Sequence, residues 1–198
     1  MPDIHALLDD LGGEHAALDA IVADLTTQAW KTATPAEGWD VQDQIGHLAF
    51  FDDEATLALS NPEGFQEKLQ ELARDVGAFM DRSVSRGREL EPAEVLEWWR
   101  SAREQMIAAA RATDPRIRIP WYGPPMSPAS FISARQMETW AHAQDVADAL
   151  GIRREHNDRI RNVAHLCVLT RAHSYATRGF PILFEFHLPR PSRTHSAR

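Results

Sequence analysis

The chain has 198 residues, of which 43% are hydrophobic and 25% charged, a composition typical of a soluble globular protein with one domain or one domain and an appendage. Its net charge of −8 argues against nucleic-acid backbones as the main partner, and it has no apolar run long enough to span a bilayer, so no membrane partner is expected. Cys167 is the only cysteine, which excludes an internal disulfide, and the absence of a basic-then-apolar signal pattern favours the cytoplasm.

The N-terminal segment has the periodicity of a bundle helix. Its apolar side chains recur at alternating steps of four and three, at Ile4, Leu8, Leu11, Leu18, Val22 and Leu25. His15 is the one polar residue in this seam. We interpret His15 as a core-edge histidine with a hydrogen-bond partner, since buried polar groups are normally satisfied, and a role in a functional site is the alternative.

A second helix is predicted to begin at Val41, where Asp40 provides an N-cap after a breaker-rich loop over residues 32–39. Its buried stripe consists of Val41, Ile45 and Leu48. His47 is offset from this stripe, on a face that it shares with Asp43, Gln44, Phe50, Phe51 and Glu54. His47 can therefore be core filling between aromatic rings, or a metal ligand held at the edge of an apolar wall.

The next two predicted helices carry apolar stripes and no candidate site residue. The third helix follows a break over residues 61–64, with its stripe at Phe65, Leu69, Leu72, Val76 and Phe79. Residues 82–91 are polar and contain Gly87, so we interpret them as a connection. Pro92 opens a fourth helix that ends near Asp114, with one face formed by Val95, Trp99, Ala102, Met106 and Ala109.

Residues 116–126 are predicted to form a stiff, irregular loop, because this short stretch contains three prolines, a glycine and two aromatic residues. The loop brings Trp121 and Tyr122 next to the start of the following helix. Two interpretations stay open for this aromatic pair. It is either a hydrophobic plug over the end of the bundle or the wall of a pocket that binds a cofactor.

The clearest helix of the sequence covers residues 127–151. It starts with an N-cap and a first-turn proline and stops at a C-cap glycine, namely Ser127, Pro128 and Gly151. Glu138 and His142 lie four residues apart and therefore share one face, a spacing used by metal ligands. An exposed carboxylate–imidazole pair is the alternative. The small residues of this face leave room for an ion or substrate between this helix and its neighbours. The face also carries Ala134, Ala141, Asp145 and Ala149.

The last predicted helix covers about residues 157–177 and contains Cys167, which we interpret as an inert buried thiol because no base adjoins it. Residues 180–198 begin with strand composition, although no other segment offers a partner strand, and end in a segment predicted to be disordered. The strand-like part would pair with the same strand of a second chain or pack on the bundle. We therefore divide the chain into a helical domain over residues 1–179 and a tail over residues 180–198.

These elements predict an all-α protein, an antiparallel up-and-down four-helix bundle with an additional helix and a short extended C-terminal tail. Two of the helices supply His47, Glu138 and His142, whose two nitrogens and one oxygen suit a divalent metal ion. Three protein ligands leave one coordination position open, which is typical of catalytic sites rather than structural ones.

Three motifs occur in order along the chain: Gly38-Trp39 with His47-Leu48, then Trp121-Tyr122-Gly123-Pro124-Pro125, then Glu138-x-x-x-His142-x-x-Asp145. Over about residues 4–179 this order resembles the DinB/YfiT-like superfamily and, within it, the metal-binding N-terminal domain of mycothiol-dependent maleylpyruvate isomerase. The resemblance implies a four-helix bundle that binds one divalent ion, usually zinc, with nickel or another first-row ion as the alternative. The ligands carried over are His47, Glu138 and His142. Other members use three histidines, so Glu138 favours the isomerase-like branch, which usually continues into a further C-terminal domain.

The leading hypothesis is a thiol-dependent isomerase or transferase, in which mycothiol or a similar thiol is activated at the metal and attacks a small electrophilic substrate. Arg135 would hold a substrate carboxylate, or pair with Glu138 or with a distant acid. Asp145 would orient the imidazole of His142, or face solvent.

Two other functions stay open at this stage. The first is a non-catalytic metal-binding bundle that forms a homodimer and serves in a stress response. The second is a metal-dependent hydrolase, which needs a general base beside bound water, and the sequence offers Asp43 or Glu54 for that role.

Overall fold

The computed structural model describes residues 3–72 and 76–179, and all regular structure in these two ranges is helical. The helices are α1 (Ile4–Val22), α2 (Thr27–Trp30), α3 (Val41–Ser60), α4 (Pro62–Leu72), α5 (Val76–Glu89), α6 (Pro92–Ala112), α7 (Pro128–Ala149) and α8 (Ile160–Thr177). Extended pairing in the described residues is limited to isolated antiparallel bridges, Ala33 with Asp40 and Ile119 with Met126. The predicted all-α class is confirmed.

Four long helices, α1, α3, α6 and α7, form the bundle. α3 packs against α6 and α7, and α1 packs against the same two helices, so each member of the bundle has two neighbours. The shorter helices α4 and α5 pack against α3. The predicted four-helix bundle is therefore confirmed, and α3 is the helix with the most partners.

The apolar stripes of these helices form two hydrophobic clusters. The first includes the fully buried Leu18, Val41, Ile45, Leu48 and Trp99. The second includes the fully buried Leu11, Phe65, Met106, Phe131 and Ile132. Burial of an aliphatic or aromatic side chain of this size contributes about 1.5–3 kcal/mol to the free energy of folding, which makes these clusters the main stabilising feature.

His15 lies in the core, as its place in the first seam suggested, but the prediction of a hydrogen-bond partner is wrong. Its side chain is 3% exposed, and neither ring nitrogen has a partner among the described residues. The ring contacts the edge of Trp99, with 5.9 Å between the ring centroids. Burial, together with the charges of Arg103 and Arg135, lowers the pKa of His15 from 6.5 to about 3, so the ring is neutral.

Residues 82–91 largely form the end of a helix, so their interpretation as a connection is wrong. α5 continues to Glu89 and crosses α3 where Gly46 meets Gly87. A Cβ atom on either glycine would lie 3.2 Å from the Cα of the other, so Gly87 serves a close approach of two backbones rather than a turn. This crossing brings Ser83 of α5 into contact with His47.

The chain divides into two units at the bond between Leu166 and Cys167, inside α8. Cys167 is exposed, so its predicted burial is wrong: it follows Leu166 on the helix and falls outside the buried stripe. Residues 180–198 lie outside the described part of the chain, so the strand-like tail and the division at residue 179 stay predictions. Within the described ranges, none of the helices combines the length and apolar character needed to cross a bilayer.

Candidate metal centre

Three side chains from α3 and α7 converge on one point. His47 of α3 and both Glu138 and His142 of α7 offer ligand atoms that lie within 4.8 Å of one another. Glu138 Oε2 is 3.4 Å from His142 Nε2, and the ring centroids of the two histidines are 4.7 Å apart. The structure thus brings together the three residues proposed from the sequence, and their binding of a metal stays a prediction.

The caps of the two helices fix the register of these residues. Asp40 accepts a hydrogen bond from the Asp43 N–H at 2.9 Å, and the Asp43 carboxylate accepts one from the Asp40 N–H at 3.2 Å, which forms a capping box at the start of α3. Ser127 Oγ accepts a hydrogen bond from the Ser130 N–H at 3.2 Å, and Gly151 follows α7 with φ of 66°. Because neither helix is interrupted, each ligand keeps its position on its helix face.

Each imidazole uses Nδ1 for a contact on the outer side of the site, which leaves Nε2 for a ligand. His47 Nδ1 lies 3.2 Å from the hydroxyl oxygen of Ser83 on α5, and His142 Nδ1 is hydrogen-bonded to Gln44 Oε1 on α3. Metal-binding histidines almost always have such a partner. Neither partner was predicted from the sequence. Ser83 lies in the segment that was interpreted as a connection. Gln44 could have been proposed, because it shares a helix face with His47.

The environment of the site favours the protonation states that metal ligands need. Burial, followed by the charge of His142, lowers the pKa of His47 to about 3, so this imidazole is neutral at neutral pH. Burial alone would raise the pKa of Glu138, but the nearby His142 imidazole and the charge of Arg135 outweigh it and lower this pKa. A neutral imidazole and a carboxylate can both bind a cation without losing a proton first.

Aromatic rings surround the two imidazoles. Trp39 stacks on His142 with 6.0 Å between centroids and 12° between ring planes, and it lies 4.9 Å from the His47 ring. Phe51 lies 4.6 Å from the same ring. Such an apolar surrounding strengthens the attraction between charged ligands and a cation. Trp39 was not predicted as a site residue, although its place directly before the Asp40 cap was a usable signal.

A cavity of about 330 Å³ opens beside two of the three proposed ligands, His47 and Glu138. It is lined by His47, Phe51, Trp121, Tyr122, Ala134, Arg135 and Glu138. Trp121 also stacks on Phe65 at 5.5 Å between centroids, so the aromatic loop is both a pocket wall and part of the apolar packing. Hydrogen bonds of 2.8 and 2.9 Å between the backbones of Ile119 and Met126 hold the loop in place. Cofactor binding by Trp121 and Tyr122 stays a prediction.

Arg135 lines this cavity and pairs with a distant acid, which was one of the two alternatives to substrate binding. Its Nε and Nη2 atoms donate to Asp52 Oδ1 at 3.2 and 2.9 Å. The side chains of Arg135 and Asp52 are 3% and 0% exposed, so this ion pair is fully buried. A guanidinium carries five N–H groups, and the contact with Asp52 uses two of its nitrogens. Binding of a substrate carboxylate by Arg135 stays a prediction.

Asp145 reaches the site through Gln44 and not by a direct bond to His142. Gln44 Nε2 lies 3.5 Å from Asp145 Oδ2 and 2.9 Å from Thr34 Oγ1, and the other end of the same amide contacts His142. Gln44 therefore lies between the carboxylate and the imidazole, so the direct contact expected for Asp145 is absent, and its orienting role stays a prediction.

The two carboxylates considered as a hydrolytic base are both engaged elsewhere. Asp43 accepts hydrogen bonds from Arg88 Nε and Nη2 at 2.8 and 3.0 Å. Glu54 accepts a hydrogen bond from the Tyr122 hydroxyl at 2.7 Å and pairs with Lys68. Burial and the hydrogen bond to Glu54 raise the pKa of Tyr122, which therefore stays a donor. These contacts argue against a metal-dependent hydrolase.

A family model of the mycothiol maleylpyruvate isomerase N-terminal domain matches residues 11–147. The chain belongs to this family. Its relatives include two uncharacterised proteins from two strains of Mycobacterium tuberculosis, each 39% identical over 194 residues, which cover 96% of this chain and 76% of the relative. The resemblance inferred from the three motifs is confirmed.

Crystal structures of mycothiol-dependent maleylpyruvate isomerase have the same fold as this member of the family. One superposes with a TM-score of 0.67 at 15% sequence identity, and a histidine-to-alanine mutant superposes with a TM-score of 0.69 at 12% identity. Each comparison covers 90% of this chain and 73% of the other chain. Identities this low establish the helical fold alone.

Proposed function

We propose that this chain binds one divalent metal ion through His47, Glu138 and His142 and uses it to activate a small thiol in an isomerase or transferase reaction. The observation that carries this proposal is the approach of the three ligand atoms to within 4.8 Å beside a cavity of about 330 Å³. Membership of the family supports the thiol, because the isomerase that gives the family its name is mycothiol-dependent. Mycothiol or a similar small thiol is therefore the proposed partner.

The donor set fits a first-row divalent ion. Two imidazole nitrogens and one carboxylate oxygen form a common ligand set of catalytic zinc, and three protein ligands leave a position for a thiol. We propose zinc, with nickel or another first-row ion as the alternative. When bound, the ion supplies positive charge that favours the thiolate form of a coordinated thiol at neutral pH.

The residues of the cavity wall have separate proposed roles. The aromatic rings of Phe51, Trp121 and Tyr122 exclude water and pack against the thiol and the substrate. Arg135 donates N–H groups to a carboxylate of a small electrophilic substrate, while its ion pair with Asp52 fixes the direction of the guanidinium. Because Asp52 neutralises the charge of Arg135, the substrate would be oriented by directional hydrogen bonds more than by net charge.

Metal analysis of purified protein tests the site. We expect about one equivalent of metal in the wild type and in the control variant His5→Ala, whose side chain is exposed on α1. We expect His142→Ala and Glu138→Ala to lose most of it, because two ligands hold an ion far more weakly than three. Equal metal content in all four proteins would overturn the proposed site.

A cobalt-substituted sample tests the thiol. Addition of mycothiol should produce a sulfur-to-cobalt charge-transfer band in the visible spectrum if the thiol sulfur occupies the open position. If cobalt binds and millimolar thiol produces no such band, the proposed thiol-dependent activity is rejected. The homodimer and the cytoplasmic location stay predictions from the sequence.

A further inference from the structure

The side chain of Gln44 is fully buried and connects three parts of the protein. Its Nε2 atom lies 2.9 Å from Thr34 Oγ1, in the loop before α3, and 3.5 Å from Asp145 Oδ2 on α7. Its Oε1 atom contacts His142 Nδ1. Every polar atom of this amide therefore faces a named partner.

The neighbours of Gln44 determine which end of the amide faces His142. A carboxylate only accepts hydrogen bonds, so the group turned toward Asp145 must be the NH₂ group. The Thr34 hydroxyl donates its single hydrogen to the Trp39 carbonyl oxygen at 3.0 Å, so it presents lone pairs to Gln44 as well. With both N–H groups directed at these acceptors, the carbonyl oxygen is left for the imidazole.

We propose that Gln44 is a positioning residue that holds the His142 ring with its proton on Nδ1 and its Nε2 atom toward the metal site, and that Asp145 and Thr34 in turn orient Gln44. An amide oxygen only accepts, so the Nδ1 atom that contacts it must carry a hydrogen. The neutral ring then has its lone pair on Nε2, the atom that lies 3.4 Å from Glu138 Oε2 at the centre of the ligand cluster. This inference deepens the proposed function and rests on it.

Glu138 and Ser83 make the arrangement testable. Without a metal, Glu138 beside Nε2 favours the opposite tautomer, in which Nε2 carries the hydrogen, so Gln44 has to override a competing acceptor. His47 has the hydroxyl of Ser83 on its Nδ1 at 3.2 Å, and a hydroxyl can donate or accept. Ser83 therefore does not specify a tautomer, and the inference concerns His142 alone.

The first test is the tautomer of His142 in metal-free protein. Long-range ¹H–¹⁵N correlation spectra of the imidazole rings, recorded at about pH 8.5 where histidines are neutral, show which nitrogen is protonated. We expect Nδ1 in the wild type and a shift toward the Nε2-protonated form in Gln44→Ala, which removes the acceptor oxygen. A wild-type ring protonated on Nε2 would overturn the inference.

The second test is metal affinity, measured by chelator competition with zinc. Loss of an outer partner of a metal-binding histidine typically lowers affinity about 10–100-fold, which we expect for Gln44→Ala. Gln42→Ala is the matched control, because Gln42 is equally buried on α3 but donates to the Gly87 and Leu90 carbonyls, at 2.6 and 2.9 Å. It should lower the free energy of unfolding and leave zinc affinity unchanged. Equal affinities of Gln44→Ala and the wild type would contradict the positioning role, whereas a wild type that binds no zinc would reject the proposed function and leave the tautomer test decisive.

Discussion

Replacement of His15 by leucine should make the stability of this protein less sensitive to acid. The His15 side chain is 3% exposed, and burial lowers its pKa from 6.5 to about 3. The folded protein therefore keeps the ring neutral, whereas the unfolded chain takes up a proton as the pH falls through 6.5. Because the folded pKa is the lower one, stability is complete above about pH 6.5 and is lost progressively between pH 6.5 and pH 3.

The size of this effect follows from the two pKa values. Proton uptake by the unfolded chain between pH 7 and pH 5 should reduce the free energy of unfolding by about 2 kcal/mol for His15. His47, whose pKa is also lowered to about 3, contributes a similar loss in wild type and variant. His15→Leu should thus lose about 2 kcal/mol less than the wild type over this range. At pH 7 the variant should be at least as stable, since it removes two buried nitrogens that lack partners in the described residues.

Urea unfolding of metal-free protein, followed by circular dichroism, measures the free energy of unfolding of the wild type and of His15→Leu at pH 7 and at pH 5. Each protein loses some free energy of unfolding between pH 7 and pH 5. The difference between the loss in the wild type and the loss in His15→Leu cancels the contributions of the carboxylates and of His47, provided that these sites are independent of His15. His5→Leu, at an exposed position of α1, is the matched control and should show the wild-type pH dependence. An equal loss in His15→Leu and the wild type would refute the reasoning, because His15 would then have the same pKa in the folded and unfolded states.

Two further predictions concern a buried ion pair and two helical glycines. Arg135→Leu should lower the free energy of unfolding by about 3–5 kcal/mol, because Asp52 stays buried without its partner. The double variant with Asp52→Leu should recover most of this loss, as measured by urea unfolding. No recovery would mean that the loss is not electrostatic. Gly12→Ala should stabilise the protein by about 1 kcal/mol, because alanine is the better helix former and no packing neighbour lies within 4 Å of the new methyl group. Gly87→Ala should destabilise the protein, because its Cβ would lie 3.2 Å from the Gly46 Cα. Thermal unfolding compares the two, and equal gains would contradict the close crossing of α3 and α5.

The two ligand-bearing helices could be predicted because their signals are local. α3 and α7 begin directly after the caps that the sequence indicates, and a spacing of four places Glu138 next to His142 on any α-helix. The approach of His47 to this pair is a different matter, since it depends on how α3 packs against α7. Hydrophobic periodicity does not show which helices are neighbours. The resemblance carried by the three motifs implied that His47 joins Glu138 and His142.

The outer partners of the ligands could not be predicted because they depend on the rotation and crossing of helices. Ser83 reaches His47 because α5 crosses α3 at Gly87, and in the sequence this glycine looks like a helix breaker. The same limit applies to His15. Its position in the apolar seam predicts burial, but the groups that surround its nitrogens come from other elements, such as Trp99 of α6.

α3 carries part of the core and part of the site, so stability and ligand geometry depend on the same contacts. Its polar side chains are held by partners on other elements, namely Gln42 by the Gly87 and Leu90 carbonyls, Asp43 by Arg88, Asp52 by Arg135 and Glu54 by Tyr122. A rotation of α3 about its axis would strain all of these contacts together, whereas an apolar stripe alone tolerates small rotations. The direction of His47 toward α7 is therefore fixed by polar contacts between helices.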